Sequence, residues 1–81
     1  MKKYLISVIV PAYNEEKKID GVLKSLINSP LINEIIVIND GSSDKTLSII
    51  RKFKKIKLIN LKKNHGKSYA IVKGIEKSKG D

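Results

Sequence analysis

The apolar positions of the chain fall into runs of two different periods, and the two alternate from one end to the other. Leu5 to Val10 is a nearly continuous apolar run closed by Pro11, the pattern of a strand buried on both faces. From Glu15 the spacing lengthens, with Ile19, Val22, Leu23, Leu26 and Ile27 at i, i+3, i+4, i+7 and i+8, one face of a helix. Asn14 is placed to cap that helix, Glu15 and Glu16 suit its positive N-terminal end, and Asn28-Ser29-Pro30 ends it. Ile35 to Ile38 reads as a second buried strand. A second helix starts near Lys45, with Leu47, Ile50 and Phe53 inward, Ser43 or Asp44 as its cap, and Lys54 and Lys55 at its C-terminal end. Ile56 to Leu61 interleaves lysine and asparagine with apolar side chains, which predicts a third strand at a sheet edge, where lysine discourages unwanted pairing. After a glycine turn, residues from about Gly66 to Ser78 read as a third helix. Ile71 and Ile75 stand one turn apart on it, and the small pair Ala70 and Gly74 permits close approach to the sheet. Gly80-Asp81 closes the chain.

The order βαβαβα calls for a parallel sheet with right-handed crossovers and helices on its faces, a three-layer Rossmann-like α/β fold. Ligands of such sheets sit beyond the carboxyl ends of the strands. Those ends are Pro11-Ala12-Tyr13-Asn14-Glu15, Asn39-Asp40-Gly41-Ser42-Ser43 and Lys62-Lys63-Asn64-His65-Gly66-Lys67. Every residue of chemical interest falls on that one edge.

Composition narrows the partners. At 81 residues the chain makes one small domain or part of a larger one. It has no cysteine, so it carries neither a disulfide framework nor a thiolate zinc site. Its longest apolar runs are far shorter than the roughly 20 residues of a membrane helix, and the run after Lys2 and Lys3 ends too early for a signal peptide. The net charge of +9 is uneven: residues 1–40 hold five basic and five acidic side chains, residues 41–81 twelve and three. Such a basic half suits a solvated face, an anionic membrane surface, a phosphate-bearing substrate or a nucleic acid. The nucleic-acid reading ranks last, because Tyr4, Tyr13, Phe53 and Tyr69 are scattered and form no aromatic platform within a basic run. GSSDKT lacks the spacing of a phosphate-binding Walker loop, and no G-x-G-x-x-G is present.

The segments SVIVPAYNEE, EIIVINDGSSDKT and NHGKSYAIVKGIEKSKGD, taken in order, resemble the N-terminal half of family 2 glycosyltransferases, which have the GT-A fold, and within them the dolichyl-phosphate mannosyltransferase-like group. The resemblance runs from Ser7 to Asp81. It implies that Pro11, Tyr13 and Glu15 surround the base and ribose of a nucleotide-diphosphate sugar, UDP- or GDP-linked, that Asp40 accepts from the base N–H, and that Ile38 presents its backbone beside it. An aromatic face stacks on a base and a carboxylate accepts from its donors, so the residue types suit these roles. Lys67, after Gly66 at a helix N-terminus, is placed to meet the diphosphate. The implied reaction is attack by an acceptor hydroxyl on the anomeric carbon, with Mg2+ or Mn2+ stabilising the leaving diphosphate. The metal-binding D-x-D element, the acceptor region and the general base are expected after the KGD segment. Asp81 matches the residue before that strand and is not assigned as a ligand, so the chain supplies the nucleotide-binding half and by itself is expected to be inactive.

Each assignment has a structural rival. Tyr13 also suits an aromatic plugging the end of the sheet, Asp40 an Asx turn, Glu15 a helix dipole, and Lys67 a solvated lysine. Ser42, Ser43 and Asp44 read as caps and His65 as a turn residue. A non-catalytic nucleotide- or partner-binding module is the alternative for the chain as a whole, binding through its first strand. In the family the next strand lies beside that first strand, so an open edge and self-association are expected. A cytoplasmic location follows from the cytosolic donors, with the basic half suited to a membrane surface, and the acceptor, lipid-linked or otherwise, is left open.

Overall fold

The structure, a computed structural model, describes residues 5–79; Lys2, Lys3, Gly80 and Asp81 lie outside the described residues. Six elements alternate along it: β1 (Ser7–Ala12), α1 (Ile19–Ile27), β2 (Glu34–Asp40), α2 (Thr46–Ile50), β3 (Lys57–Leu61) and α3 (Lys67–Lys77). The strands form one parallel sheet in the order β1-β2-β3. In register, Val10 lies opposite Val37 and Pro11 opposite Ile38, while Ile38 lies opposite Ile59 on the other side.

The central position of β2 explains its composition. All its residues from Ile35 to Asp40 are buried, and the alternation of side chains across a strand divides them between two cores. Ile35 and Val37 pack with Ile19, Leu23 and Ile50 of α1 and α2, whereas Ile36 and Ile38 pack with Ala70 of α3. Each fully buried Ile or Leu contributes about 1.5–3 kcal/mol relative to exposure. That burial sustains α2, which at five residues is far too short to hold as an isolated helix.

Several expectations change. β1 lies at the sheet edge among the described residues, as expected, but it is not buried on both faces: it is only partly buried until Ala12, and Leu5 and Ile6 before it are exposed. It does not end at Pro11 but runs through it, which an edge strand tolerates because a missing N–H there need not break the ladder. α1 starts at Ile19, with Lys18 in the capping position and no side-chain cap, so Asn14 does not cap it, and Val22 is exposed. α2 ends at Ile50, leaving Lys54 and Lys55 beyond it, and its first turn is held by Asp44 accepting from the Thr46 N–H at 2.9 Å.

The packing of α3 turns on Gly74. A Cβ there would overlap the side chains of Ile9 and Ile38, so the helix lies on the sheet through its Ala70 and Gly74 stripe. Ile71 is partly buried, but Ile75, one turn on, is displaced from the contact and more than half exposed.

The amino end of the sheet is tied by one carboxylate. Glu34 accepts from the Ser7 hydroxyl at 2.6 Å, the Lys79 N–H at 2.8 Å and the Lys57 ammonium. The Lys57 bond, then those from Lys79 and Ser7, holds its carboxyl down at about 2.

Candidate functional site

Three loops meet at the carboxyl end of the sheet, and the first is shaped by β2. At its last residue, Asp40, the chain turns through Gly41, whose φ of 69° lies in the left-handed region and whose missing Cβ lets the backbones of Lys63 and Asn64 pass against it. Asp40 is 3% exposed. Its Oδ1 accepts from the His65 N–H at 2.8 Å, and its Oδ2 from the Gly66 N–H at 3.0 Å and Asn64 Nδ2 at 3.2 Å. The carboxylate thus holds the turn that leads into α3. Of its roughly four acceptor positions, these bonds occupy three and leave one.

The second loop, Tyr13 to Lys18, is bonded to the start of α2. Asn14, Glu15 and Glu16 donate their backbone N–H groups to Ser42, Thr46 and Asp44 in turn. Burial works against the charge of Asp44, but the bonds from the Thr46 hydroxyl and N–H and the Glu16 N–H outweigh it and hold its carboxyl below the usual range.

Pro11, Ala12, Tyr13, Glu15, Asp40 and Lys67 line one cleft of about 250 Å³ at this edge. The structure thereby brings together five of the six residues singled out from the sequence. The sixth, Ile38, is fully buried with its side chain in the α3-side core, and it enters the site through its main chain alone. Tyr13 is 48% exposed, so it is not a plug in the sheet. Glu15 lies in the turn that leads into α1, its carbonyl accepting from the Ile19 N–H at 2.8 Å, and its exposed side chain lines the cleft. Asp40 does brace a turn, although one 25 residues away and not its own. Lys67 is exposed at the first position of α3, beside the Gly66 N-cap.

His65 stacks on Tyr69 with ring centroids 4.5 Å apart, and the Lys73 ammonium lies 5.4 Å from the Tyr69 ring. Its role is that of a turn residue whose N–H is held by Asp40. Ala12 lines the cleft without having been singled out, and the bonding of Asn14 to Ser42 and Ser43 was not legible either. The only sequence signal for that bonding is the asparagine itself, a residue able to occupy left-handed backbone in a loop.

A second cleft, of about 280 Å³, lies around Glu34 at the opposite end of the sheet, lined also by Leu5, Ser7, Lys55 and Lys57. Its one carboxylate is already engaged by three donors. The carboxyl-end cleft retains exposed Tyr13, Glu15 and Lys67 and an acceptor position on Asp40, and it is the candidate site.

Over 67 residues the chain is 52% identical to an uncharacterized glycosyltransferase of Haemophilus influenzae, covering 76% of this chain and 21% of that protein. It is 35% identical over 91 residues to human dolichyl-phosphate beta-glucosyltransferase, covering 94% of this chain and 28% of the relative. The chain therefore spans roughly a quarter of the length of the curated relatives it matches. Among solved structures, mannosyltransferase PcManGT from Pyrobaculum calidifontis, in complex with GDP-Man and Mn2+, superposes with a TM-score of 0.89 at 24% identity, over 99% of this chain and 26% of that one. That likeness shows the fold, the parallel α/β arrangement of the GT-A architecture. The family model for glycosyl transferase family 2 matches residues 7–81, from the first residue of β1 through all three strand ends that build the cleft, and the chain belongs to that family.

Proposed function

We propose that this chain is the nucleotide-reading part of a glycosyltransferase that moves a sugar from a nucleoside-diphosphate sugar, GDP- or UDP-linked, to an acceptor hydroxyl. The observation that carries the reading is the convergence of Tyr13, Glu15, Asp40 and Lys67 on one cleft beyond the strand ends. The exposed Tyr13 ring offers a face for the base, with Pro11 beside it, and Glu15 accepts from ribose or base donors. The remaining acceptor position of Asp40, next to the main chain leading from Ile38, takes a base N–H. Lys67 and the N-terminus of α3 favour the diphosphate, since an ammonium and unpaired helix N–H groups both attract anions. At about 250 Å³ the cleft is slightly smaller than the roughly 300 Å³ at which small-molecule sites begin. It suits the nucleoside portion of the donor, with the sugar beyond it.

In the reaction, the acceptor oxygen bonds to the anomeric carbon as the bond to the diphosphate breaks, and the acceptor proton passes to a base. Among the described residues no three His, Cys, Asp or Glu side chains gather as a metal site. The described residues do not make a donor set for Mg2+ or Mn2+. The division of labour is that this chain binds and orients the nucleotide, while transfer requires more of the protein. A lipid-linked acceptor is supported by the dolichyl-phosphate relatives. Action at the cytoplasmic face of a membrane is supported by the basic second half, and no helix among the described residues is long and apolar enough to cross a bilayer.

Titrating isotope-labelled protein with GDP and UDP tests the reading. Amide shifts confined to Tyr13, Glu15, Asp40, Gly66 and Lys67 are expected, and the absence of any shift at millimolar nucleotide would overturn it. Sugar transfer by the 81-residue protein well above a buffer control would overturn the division of labour.

A further inference from the structure

We propose that Asn14 is a positioning residue of the nucleotide cleft, clasping the loop that carries Tyr13 and Glu15 onto the start of α2; this rests on the donor-binding reading above. Three consecutive N–H groups of the loop each meet a side-chain oxygen of residues 42–46. Asn14 donates to Ser42 Oγ at 3.0 Å, Glu15 to Thr46 Oγ1 at 2.8 Å and Glu16 to Asp44 Oδ2 at 3.3 Å. In the other direction, Asn14 Oδ1 accepts from the Ser43 N–H at 2.8 Å and the Ser43 hydroxyl at 3.4 Å. Thr46 is fully buried, and its hydroxyl donates to Asp44 Oδ1. That bond directs the hydroxyl proton away and leaves a lone pair for the Glu15 N–H.

The centre of this clasp is strained. Asn14, with φ of 51°, is the one non-glycine among the described residues with positive φ. Left-handed backbone costs an ordinary L-residue about 1–2 kcal/mol, and asparagine is among the few that visit it routinely, because its short side chain finds hydrogen bonds. Here those bonds go to the neighbouring loop. The helix does not require them, since α1 begins only at Ile19 with Lys18 in the capping position. The cleft does, because Tyr13 and Glu15 flank Asn14 and both line it. A change of φ between them would redirect one relative to the other, so the strain is held where pre-organisation of the cleft needs it.

The substitutions Asn14→Asp, Asn14→Gly and Asn14→Ala separate backbone from side chain. Asp retains the acceptor for Ser43, Gly retains the left-handed backbone without it, and Ala retains neither. GDP and UDP affinity, thermal melting and amide exchange at Glu15 and Glu16 are measured for each. Asn14→Asp is expected to bind like the parent protein and Asn14→Gly a few-fold more weakly. Asn14→Ala is expected to lose about tenfold or more, the scale of a small misplacement of binding groups, with faster exchange of both amides and a melt that is still cooperative. Should Asn14→Ala fail to fold, Thr46→Val, which removes the acceptor of the Glu15 N–H, is expected to weaken binding and Thr46→Ser to restore it. If the parent protein binds and Asn14→Ala binds equally well, or the Glu15 and Glu16 amides exchange alike in both, the clasp proposal is overturned and the donor reading stands. If neither nucleotide shifts any amide of the parent protein while those two amides are protected, the donor reading falls, and the positioning role with it.

Discussion

Asp40 is both a brace and a candidate ligand, and the two roles use different lone pairs of one carboxylate. Removing the side chain leaves the His65 and Gly66 N–H groups without their acceptor in a partly buried place. Each buried donor left unpaired costs about 1–3 kcal/mol. Asp40→Ala is therefore expected to lower the stability of the free protein by an amount in that range, read as a lower urea midpoint with an unchanged slope, before nucleotide is added. An unchanged midpoint would mean that the 64–66 turn holds without the carboxylate.

At the scale of elements, two predictions concern how α3 and the strands are joined. Gly74→Ala gains about 1 kcal/mol of helix propensity but inserts a methyl group where Ile9 and Ile38 already touch the helix. Overpacking of this kind costs about 1–3 kcal/mol, so the packing loss wins and the variant is expected to melt lower. A higher melting temperature would show that α3 can lift from the sheet freely. The second prediction follows from Glu34, whose folded pKa of about 2 lies below its ordinary value of 4.5. Its stabilisation is complete above pH of about 4.5 and is lost as pH falls toward 2. Acid unfolding is expected to steepen in that window, and Glu34→Gln to remove this component. The lysine bonded to it is half exposed, so added salt should shrink the effect without abolishing it. An identical acid profile for the two proteins would overturn the prediction.

The whole molecule has one consequence that no single element carries. With the sheet order β1-β2-β3, β1 has a partner on one side only among the described residues, and Leu5 and Ile6 before it are 51% and 43% exposed. Unprotected edges of this kind pair with other chains. The 81-residue protein is expected to show concentration-dependent mass by sedimentation. The double substitution Leu5→Lys and Ile6→Lys is expected to shift it toward monomer without lowering its melting temperature. A monomeric parent protein at every concentration would count against association through this edge.

How much of this was legible in advance depends on the range of the interaction concerned. Side-chain period is local, and it placed all six elements, the parallel order and the edge on which Pro11, Tyr13, Glu15, Asp40 and Lys67 gather. The ordered motifs added the family. Burial could not be read in the same way. The apolar run of β1 resembles that of β2, yet among the described residues only β2 has a strand on each side, and Ile75 is exposed because Gly74 settles which stripe of α3 meets the sheet. Nor could local propensity tell a capping asparagine from one whose side chain reaches Ser43, 29 positions along the chain. The elements and their chemistry rest on neighbours a few residues apart and so are written in the local pattern of side chains. Tertiary structure alone decided which apolar faces are covered and which hydrogen bonds aim the site, because those partners meet only when the three strand ends are brought together.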